Sequence, residues 1–397
     1  MQELLLLLLP VAAASGWLAA RRSYSKQQDR GVNDTSPVYF RGLNHLLNEE
    51  PDKAIDAFVE MLEVDSDTVE THLALGNLFR RRGEVERAIR IHQNLIARPA
   101  LSREQRAQAL LELGQDYMRA GLFDRAENLF RELKDTKLHV RAALTNLLVI
   151  YEKERDWASC LEAADQLESL TGNKQHLQKS HYHCELALAA RDEGRQSDAI
   201  QHLKRAQAEF RGCVRADHLQ AQFAAAKGDH AEAIRILRQA VEKDLAYLPE
   251  VLPELVANYR QAGELQALRT FLEKTTKEHP GAGAELPLAD LIKELDGEDA
   301  AMTYLGSQLA ASPSLALLLR SIELNARLPD SQSVPFVDGL RPHIRRLLDD
   351  NPVYQCTQCG FAARTKHWQC PSCRSWSTVK RKLDNDCDSQ AKKALSP

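Results

Sequence analysis

The chain has no glycine-rich phosphate loop, no nucleophile elbow and no HExxH pair in its 397 residues. P-loop nucleotide hydrolysis, serine hydrolysis on an α/β sheet and zinc-peptidase chemistry each need one of those arrangements. No catalytic residue is assigned, and the chain reads as a non-enzyme. Excess positive charge is missing too: 52 Lys and Arg stand against 56 Asp and Glu, a formal net charge of −4. Nucleic-acid binders carry a basic footprint, so nucleic acid is not an expected partner. The cysteines outside the C-terminal region lack any pairing pattern. Cys160, Cys184 and Cys213 fall singly in helical segments and Cys387 lies in a polar tail, which argues for a reducing compartment over a disulfide framework.

Residues 4–20 form an uncharged 17-residue stretch, followed at once by Arg21, Arg22 and then Lys26. At helical rise it reaches roughly 25 Å, the lower limit for a membrane span. A cleaved signal is the alternative, with Ala12-Ala13-Ala14 or Leu18-Ala19-Ala20 as small-residue sites. Signal peptides place positive charge ahead of the apolar region, whereas here Glu3 precedes it and the arginines follow. The basic flank stays on the cytoplasmic side. The reading is a retained anchor over 1–20, a juxtamembrane linker over 21–35 and a cytoplasmic remainder.

Beyond the linker the chain repeats itself. Leu75-Gly76, Phe79, Gly83, Ala88 and Leu95 recur as Leu113-Gly114, Tyr117, Gly121, Ala126 and Leu133. Turn positions fall at Glu49, Gly83, Gly121, Arg155, Gly194, Gly228, Gly263 and Gly297, in steps of 34, 38, 34, 39, 34, 35 and 34 residues. A small residue follows five positions after most turns (Ala54, Ala88, Ala126, Cys160, Ala199, Ala233), and Leu268 and Met302 replace it in the last two units. Small residues there let two helices approach closely. The pattern is similar to the tetratricopeptide repeat, with Pro280 where that repeat ends. The resemblance implies an all-α superhelical solenoid of about eight units over 36–313, the last degenerate, followed by C-terminal helices over 314–350. The longer second and fourth steps predict extended helices or loops. Solenoids of this kind bind proteins or peptides on a concave face lined by the first helix of each pair. The family layout makes Asn77, Arg80, Gln115, Arg119, Gln222 and Tyr259 candidate contacts.

Cys356, Cys359, Cys370 and Cys373 form two CxxC pairs with ten residues between them. Such loops bring two thiolates each to one ion and complete a closed tetrahedral shell. Gly360 permits one tight loop and Pro371 stiffens the other. The segment 353–383 is too short for a self-sufficient core, so metal must supply much of its folding free energy. Tyr354, Phe361, Trp368 and Trp376 are expected to wrap the loops, and the module to dock on the end of the array. A closed four-cysteine shell favours Zn²⁺, one ion per chain, although the same thiolates can hold iron. Around the module, residues 341–382 carry nine Lys or Arg against two Asp. These charges either offset the anionic centre or meet a partner or anionic lipid. His181, His183 and Cys184 crowd one helix, but His183 points elsewhere and no fourth ligand lies near in sequence. They read as surface or packing residues. Residues 384–397, rich in Asp, Lys and Ser, read as a disordered tail.

Anchor, repeats and Cys-x-x-Cys-Gly…Cys-Pro-x-Cys knuckles, in that order over nearly the whole chain, resemble the lipopolysaccharide assembly protein B family. The resemblance implies a single-pass inner-membrane adaptor with its bulk in the cytoplasm. It implies regulation of lipopolysaccharide synthesis by promoting turnover, by the membrane protease FtsH, of the lipid A pathway deacetylase LpxC, with these and other lipopolysaccharide assembly proteins as partners. It also implies a rubredoxin-like metal knuckle domain with Cys356, Cys359, Cys370 and Cys373 as ligands. Rubredoxin repeats the glycine after its second pair, where this chain has Arg374. Two rivals stand beside this reading: a rubredoxin-like redox protein carrying iron, and a zinc-ribbon nucleic-acid binder using Arg364, Lys366 and Arg374. The sequence leaves open whether copies associate into a homo-oligomer.

Overall fold

The computed structural model describes residues 37–48, 50, 53, 54, 57, 69–325, 335–350 and 352–381. The expected anchor, linker and tail lie outside the described residues. Among the described residues, no helix is long and apolar enough to cross a membrane. The chain divides into two compact units, Met1–Asn173 and Lys174–Pro397.

Among the described residues of unit 1, the helices are α1 (Pro37–Leu47) and three antiparallel pairs: α2 (Val69–Arg82) with α3 (Val85–Ile96), α4 (Arg103–Ala120) with α5 (Phe123–Thr136), and α6 (Val140–Glu154) with α7 (Trp157–Thr171); Ala54 and Ala57 are helical too. Ala54, Ala88, Ala126 and Cys160 are 0% exposed, because each sits where two helices cross and nothing larger fits. Gly76 works the same way: a Cβ there would lie 2.3 Å from Nε2 of His92 on the paired helix. The long second step is absorbed by the 18-residue α4, which opens on a capping box between Ser102 and Gln105.

Unit 2 continues with α8 (His176–Asp192) and α9 (Gln196–Glu209), α10 (Val214–Ala226) and α11 (His230–Lys243), a 3₁₀ turn (Leu245–Tyr247), then α12 (Leu248–Ala262) and α13 (Leu265–Glu278). The pair α14 (Glu285–Asp296) and α15 (Glu298–Ala311) follows, then α16 (Leu315–Asn325) and α17 (Pro335–Asp350). One apolar cluster runs from Ala221 on α10 to Leu324 on α16. The 17-residue α8 takes up the long fourth step.

The turn positions read from the sequence all have positive φ where the structure describes them, from Gly83 (φ 84) to Gly297 (φ 98), with Arg155 (φ 60) included. Gly297 departs from the pattern in one respect. It alone joins α14 to α15, whereas the other turns take two or three residues. Its φ of 98 with ψ of 177 is a region essentially reserved for glycine. Shortening the turn advances the next helix by one position, so the crossing is filled by Ala301, 0% exposed, and not by Met302. The last unit therefore keeps its small residue.

The all-α expectation fails at the metal module. Strands β1 (Tyr354–Cys356), β2 (Ala362–Ala363) and β3 (Val379–Arg381) form an antiparallel sheet in the order β2-β1-β3. Strands of two or three residues are too short to show a period-two pattern.

Candidate metal centre and its seat

The two CxxC loops are built alike. In the first, the Cys356 N–H donates to the Phe361 carbonyl at 2.8 Å and the Gly360 N–H to the Cys356 carbonyl at 3.0 Å. In the second, Cys370 donates to the Ser375 carbonyl and Arg374 to the Cys370 carbonyl, both at 2.9 Å. Gly360 has φ 76 and Arg374 φ 61. The arginine that replaces the second glycine thus takes the glycine's left-handed conformation, and the loop closes unchanged.

The loops set all four Sγ atoms within 4.8 Å of one another. Cys356 Sγ lies 3.7 Å from Cys373 Sγ, and Cys359 Sγ lies 3.7 Å from Cys370 Sγ. A tetrahedron with metal–sulfur bonds of about 2.3 Å has edges of roughly 3.8 Å, so the cluster fits one tetrahedral ion. Acidity supports the fit. Burial raises the Cys356 thiol, but the Thr378 hydroxyl and the N–H groups of Cys359 and Gln358 outweigh it and bring it to about 6. Burial pushes Cys370 up to about 11 despite the N–H groups of Cys373 and Ser372, and the Cys359 and Cys373 thiols push the same way. Crowded thiols split in acidity because thiolates repel. A divalent cation removes that conflict by holding all four as thiolates. The four cysteines thus cluster as a metal-binding site.

Of the aromatics expected to wrap the loops, Tyr354 and Phe361 do so, packing with Cys356, Cys370 and Val379. The tryptophans turn outward instead. Trp376 stacks on the His181 ring at 4.7 Å and meets Tyr182 edge-on at 6.0 Å. Trp368 stacks on Tyr247 at 5.5 Å and packs with Val214 and Ala240. Ser377 Oγ and His181 Nε2 share a 2.7 Å hydrogen bond, and Lys380 pairs with Asp244 at 3.2 Å. Lys366 Nζ lies 4.4 Å from the Tyr247 ring centroid and donates to the Val379 carbonyl at 2.5 Å. The module is therefore not seated on the end of the array. It folds back onto α8, α10 and the 3₁₀ turn, where unit 2 offers flat aromatic rings to two otherwise exposed tryptophans. Part of the basic patch, Lys366 and Lys380, is consumed in this contact.

His181 belongs to the seat and is buried, not at the surface. Its pKa is lowered to about 3, first by burial and then by the charges of Arg215 and Lys366. His183 meets His202 at 3.3 Å between Nδ1 atoms, and Cys184 Sγ lies 3.9 Å from Cys213 Sγ. The seat was not legible in sequence: His181 and Ser377 are 196 residues apart, and no local pattern marks Tyr247.

The groove candidates divide. Tyr259 is 1% exposed and belongs to the core. Gln222 is tied to Glu254 at 2.6 Å. Arg80 is held by Glu112 at 2.7 Å and Asp116 at 2.8 Å. Asn77 is half-buried, with its Oδ1 unpartnered. Gln115 and Arg119 line an open cleft in unit 1.

Comparison with known proteins agrees with this architecture. A family described as "Rubredoxin metal binding domain" matches residues 354–381, and tetratricopeptide repeat families match 71–107 and 184–245. Lipopolysaccharide assembly protein B of Escherichia coli (strain K12) is 40% identical over 381 residues, covering 96% of this chain and 98% of that one. The Haemophilus influenzae (strain Rd) protein of the same name is 36% identical over 392 residues, with the same coverage. With identity of this level running through repeats and metal module alike, the chain belongs to the lipopolysaccharide assembly protein B family.

Proposed function

We propose that this protein is a cytoplasm-facing inner-membrane adaptor that regulates lipopolysaccharide synthesis by bringing the deacetylase LpxC to the protease FtsH. The observation that carries the reading is near-full-length similarity to proteins named for lipopolysaccharide assembly, in a chain built of repeats and a metal module. Residues 4–20 act as the anchor, retained because the basic flank follows the apolar run. Confinement to the membrane raises the effective concentration of a protease and client there without tight contacts. The protein performs no chemistry of its own. Cys356, Cys359, Cys370 and Cys373 would hold one Zn²⁺, whose closed shell leaves no position for substrate. The ion would fix the module so that its tryptophans stay on unit 2.

The test is crosslinking in intact membranes followed by identification of the captured proteins. Capture of the protease and the deacetylase is expected; capture of neither removes the adaptor reading. The iron-bearing redox rival is separated by the visible spectrum of anaerobically purified protein. Colourless protein with one zinc is expected, whereas a reversible thiolate-to-iron band favours the rival.

A further inference from the structure

The first helices of the pairs in unit 1 carry a cation at one repeated position, two residues before the turn: Arg81 on α2, Arg119 on α4 and Lys153 on α6. In unit 2 the same position holds Asp192, Ala226, Gln261 and Leu295. Lys153 is engaged by the Phe123 ring at 4.4 Å. The Arg81 and Arg119 side chains have no counter-ion among the described residues. Other arginines of unit 1, Arg90 and Arg141 among them, also have no counter-ion among the described residues, so it is the place of Arg81 and Arg119 in one cleft that sets them apart. On the second helices and turns of unit 1, Arg87 pairs with Glu84 at 2.6 Å and Arg131 with Glu127 at 2.6 Å.

Both free arginines line an open cleft of about 530 Å³ across α2, α4 and α6, together with Arg80, Gln115 and Asn146. Arg80 adds rigidity more than charge, since Glu112 and Asp116 neutralise it. The Gln115 amide has no partner among the described residues, leaving a donor and an acceptor free. Asn146 Nδ2 donates to the Ala142 carbonyl at 2.9 Å, so its oxygen remains free to accept. Past Asn146 the surface opens into a second cleft of about 700 Å³ with an apolar wall that includes Leu170, 52% exposed. Free guanidinium groups recognise carboxylates by paired hydrogen bonds. Neighbouring amides that both donate and accept match a peptide backbone. A phosphate or lipid headgroup would use the arginines but neither the amide acceptors nor the apolar wall.

From this geometry we infer that the α2–α4–α6 face of unit 1 binds an extended acidic peptide segment of a protein partner. Arg81 and Arg119 take two carboxylates, Gln115 and Asn146 take the backbone, and the wall at Leu170 takes an adjacent aliphatic side chain. The inference rests on the adaptor reading and gives it a site.

The experiment is selection of a randomised decapeptide display library on the purified full-length chain, run beside Arg81→Glu/Arg119→Glu and a charge-matched control, Arg195→Glu/Arg235→Glu. The control changes exposed arginines of unit 2. The wild-type protein and the control should enrich peptides with two acidic residues next to an aliphatic one. The Arg81/Arg119 variant should lose them, with affinity for the selected peptide falling at least about tenfold. No shared sequence, a non-acidic one, or equal binding by the Arg81/Arg119 variant overturns the inference, as does competition by inorganic phosphate or phosphatidylglycerol vesicles equal to that by the peptide. Membrane crosslinking separates this failure from that of the adaptor reading. Captured protease and deacetylase without peptide selection would leave the adaptor standing and remove only this site.

Discussion

Arg155 sits at a repeat turn with φ 60, a conformation that five other turns give to glycine. A left-handed residue with a Cβ costs about 1–2 kcal/mol, offset in part by the larger unfolded entropy of glycine. Its side chain is exposed, so little else is lost on replacement. Arg155→Gly should therefore stabilise unit 1 by about 1 kcal/mol, read as a higher urea midpoint at unchanged m. A lower midpoint would show that the side chain matters more than the backbone. Asp116 is a contrasting case. Its fully buried carboxylate accepts from Arg80 at 2.8 Å and from His92 Nδ1 at 2.5 Å, joining adjacent repeats. Asp116→Ala would strand the buried His92 Nδ1 donor while Arg80 keeps Glu112, at a cost of about 2 kcal/mol, measurable in the same titration. A loss within 1 kcal/mol would mean that water replaces the carboxylate. The turn was visible in the sequence as a gap in the glycine series, but its strain was not. Nothing in the sequence marks Asp116, because its partners lie one repeat away.

Among elements, the join between the metal module and unit 2 carries the most consequence. His181 is neutral in the fold, with a pKa near 3 against an ordinary 6.5. Below pH 6.5 the unfolded chain therefore takes up a proton that the folded chain refuses. Stability falls as pH drops from about 6.5 towards 3, by about 1.4 kcal/mol per unit. His181→Phe keeps an aromatic face for Trp376 without the titrating nitrogens, so its stability should fall less steeply between pH 6.5 and 5. Comparing the two proteins cancels the acid sensitivity of the thiolates themselves; equal slopes would contradict the burial argument. Cys370→Ser/Cys373→Ser removes half the metal shell, and structural zinc supplies on the order of 10 kcal/mol of folding free energy to such modules. Limited proteolysis should then cut within residues 354–381 while the helical circular dichroism persists. Continued protection would show that aromatic docking holds the module without metal. The knuckles could be read from spacing alone, because both pairs are local. The one-residue slip at Gly297 could not, since a 34-residue step hides it. The docking face could not either, since its stacked rings come from segments more than 100 residues apart.

For the whole molecule, the two units carry different features: unit 1 presents unpaired cations in an open cleft, and unit 2 carries the metal module. The order of repeats and knuckles was legible, because each part has its own sequence period or spacing, while the expected anchor lies outside the described residues. Which partners meet these surfaces is decided by chemistry distributed over distant residues, and the central claim concerns one such meeting. The most direct measurement is the half-life of the deacetylase LpxC after protein synthesis is stopped, in cells lacking this protein and in cells supplied with it. The account predicts a lengthened half-life in its absence. The wild-type protein should shorten it again, whereas a version lacking residues 1–20, or Cys370→Ser/Cys373→Ser, should not. A half-life that stays the same with and without the protein would contradict the account.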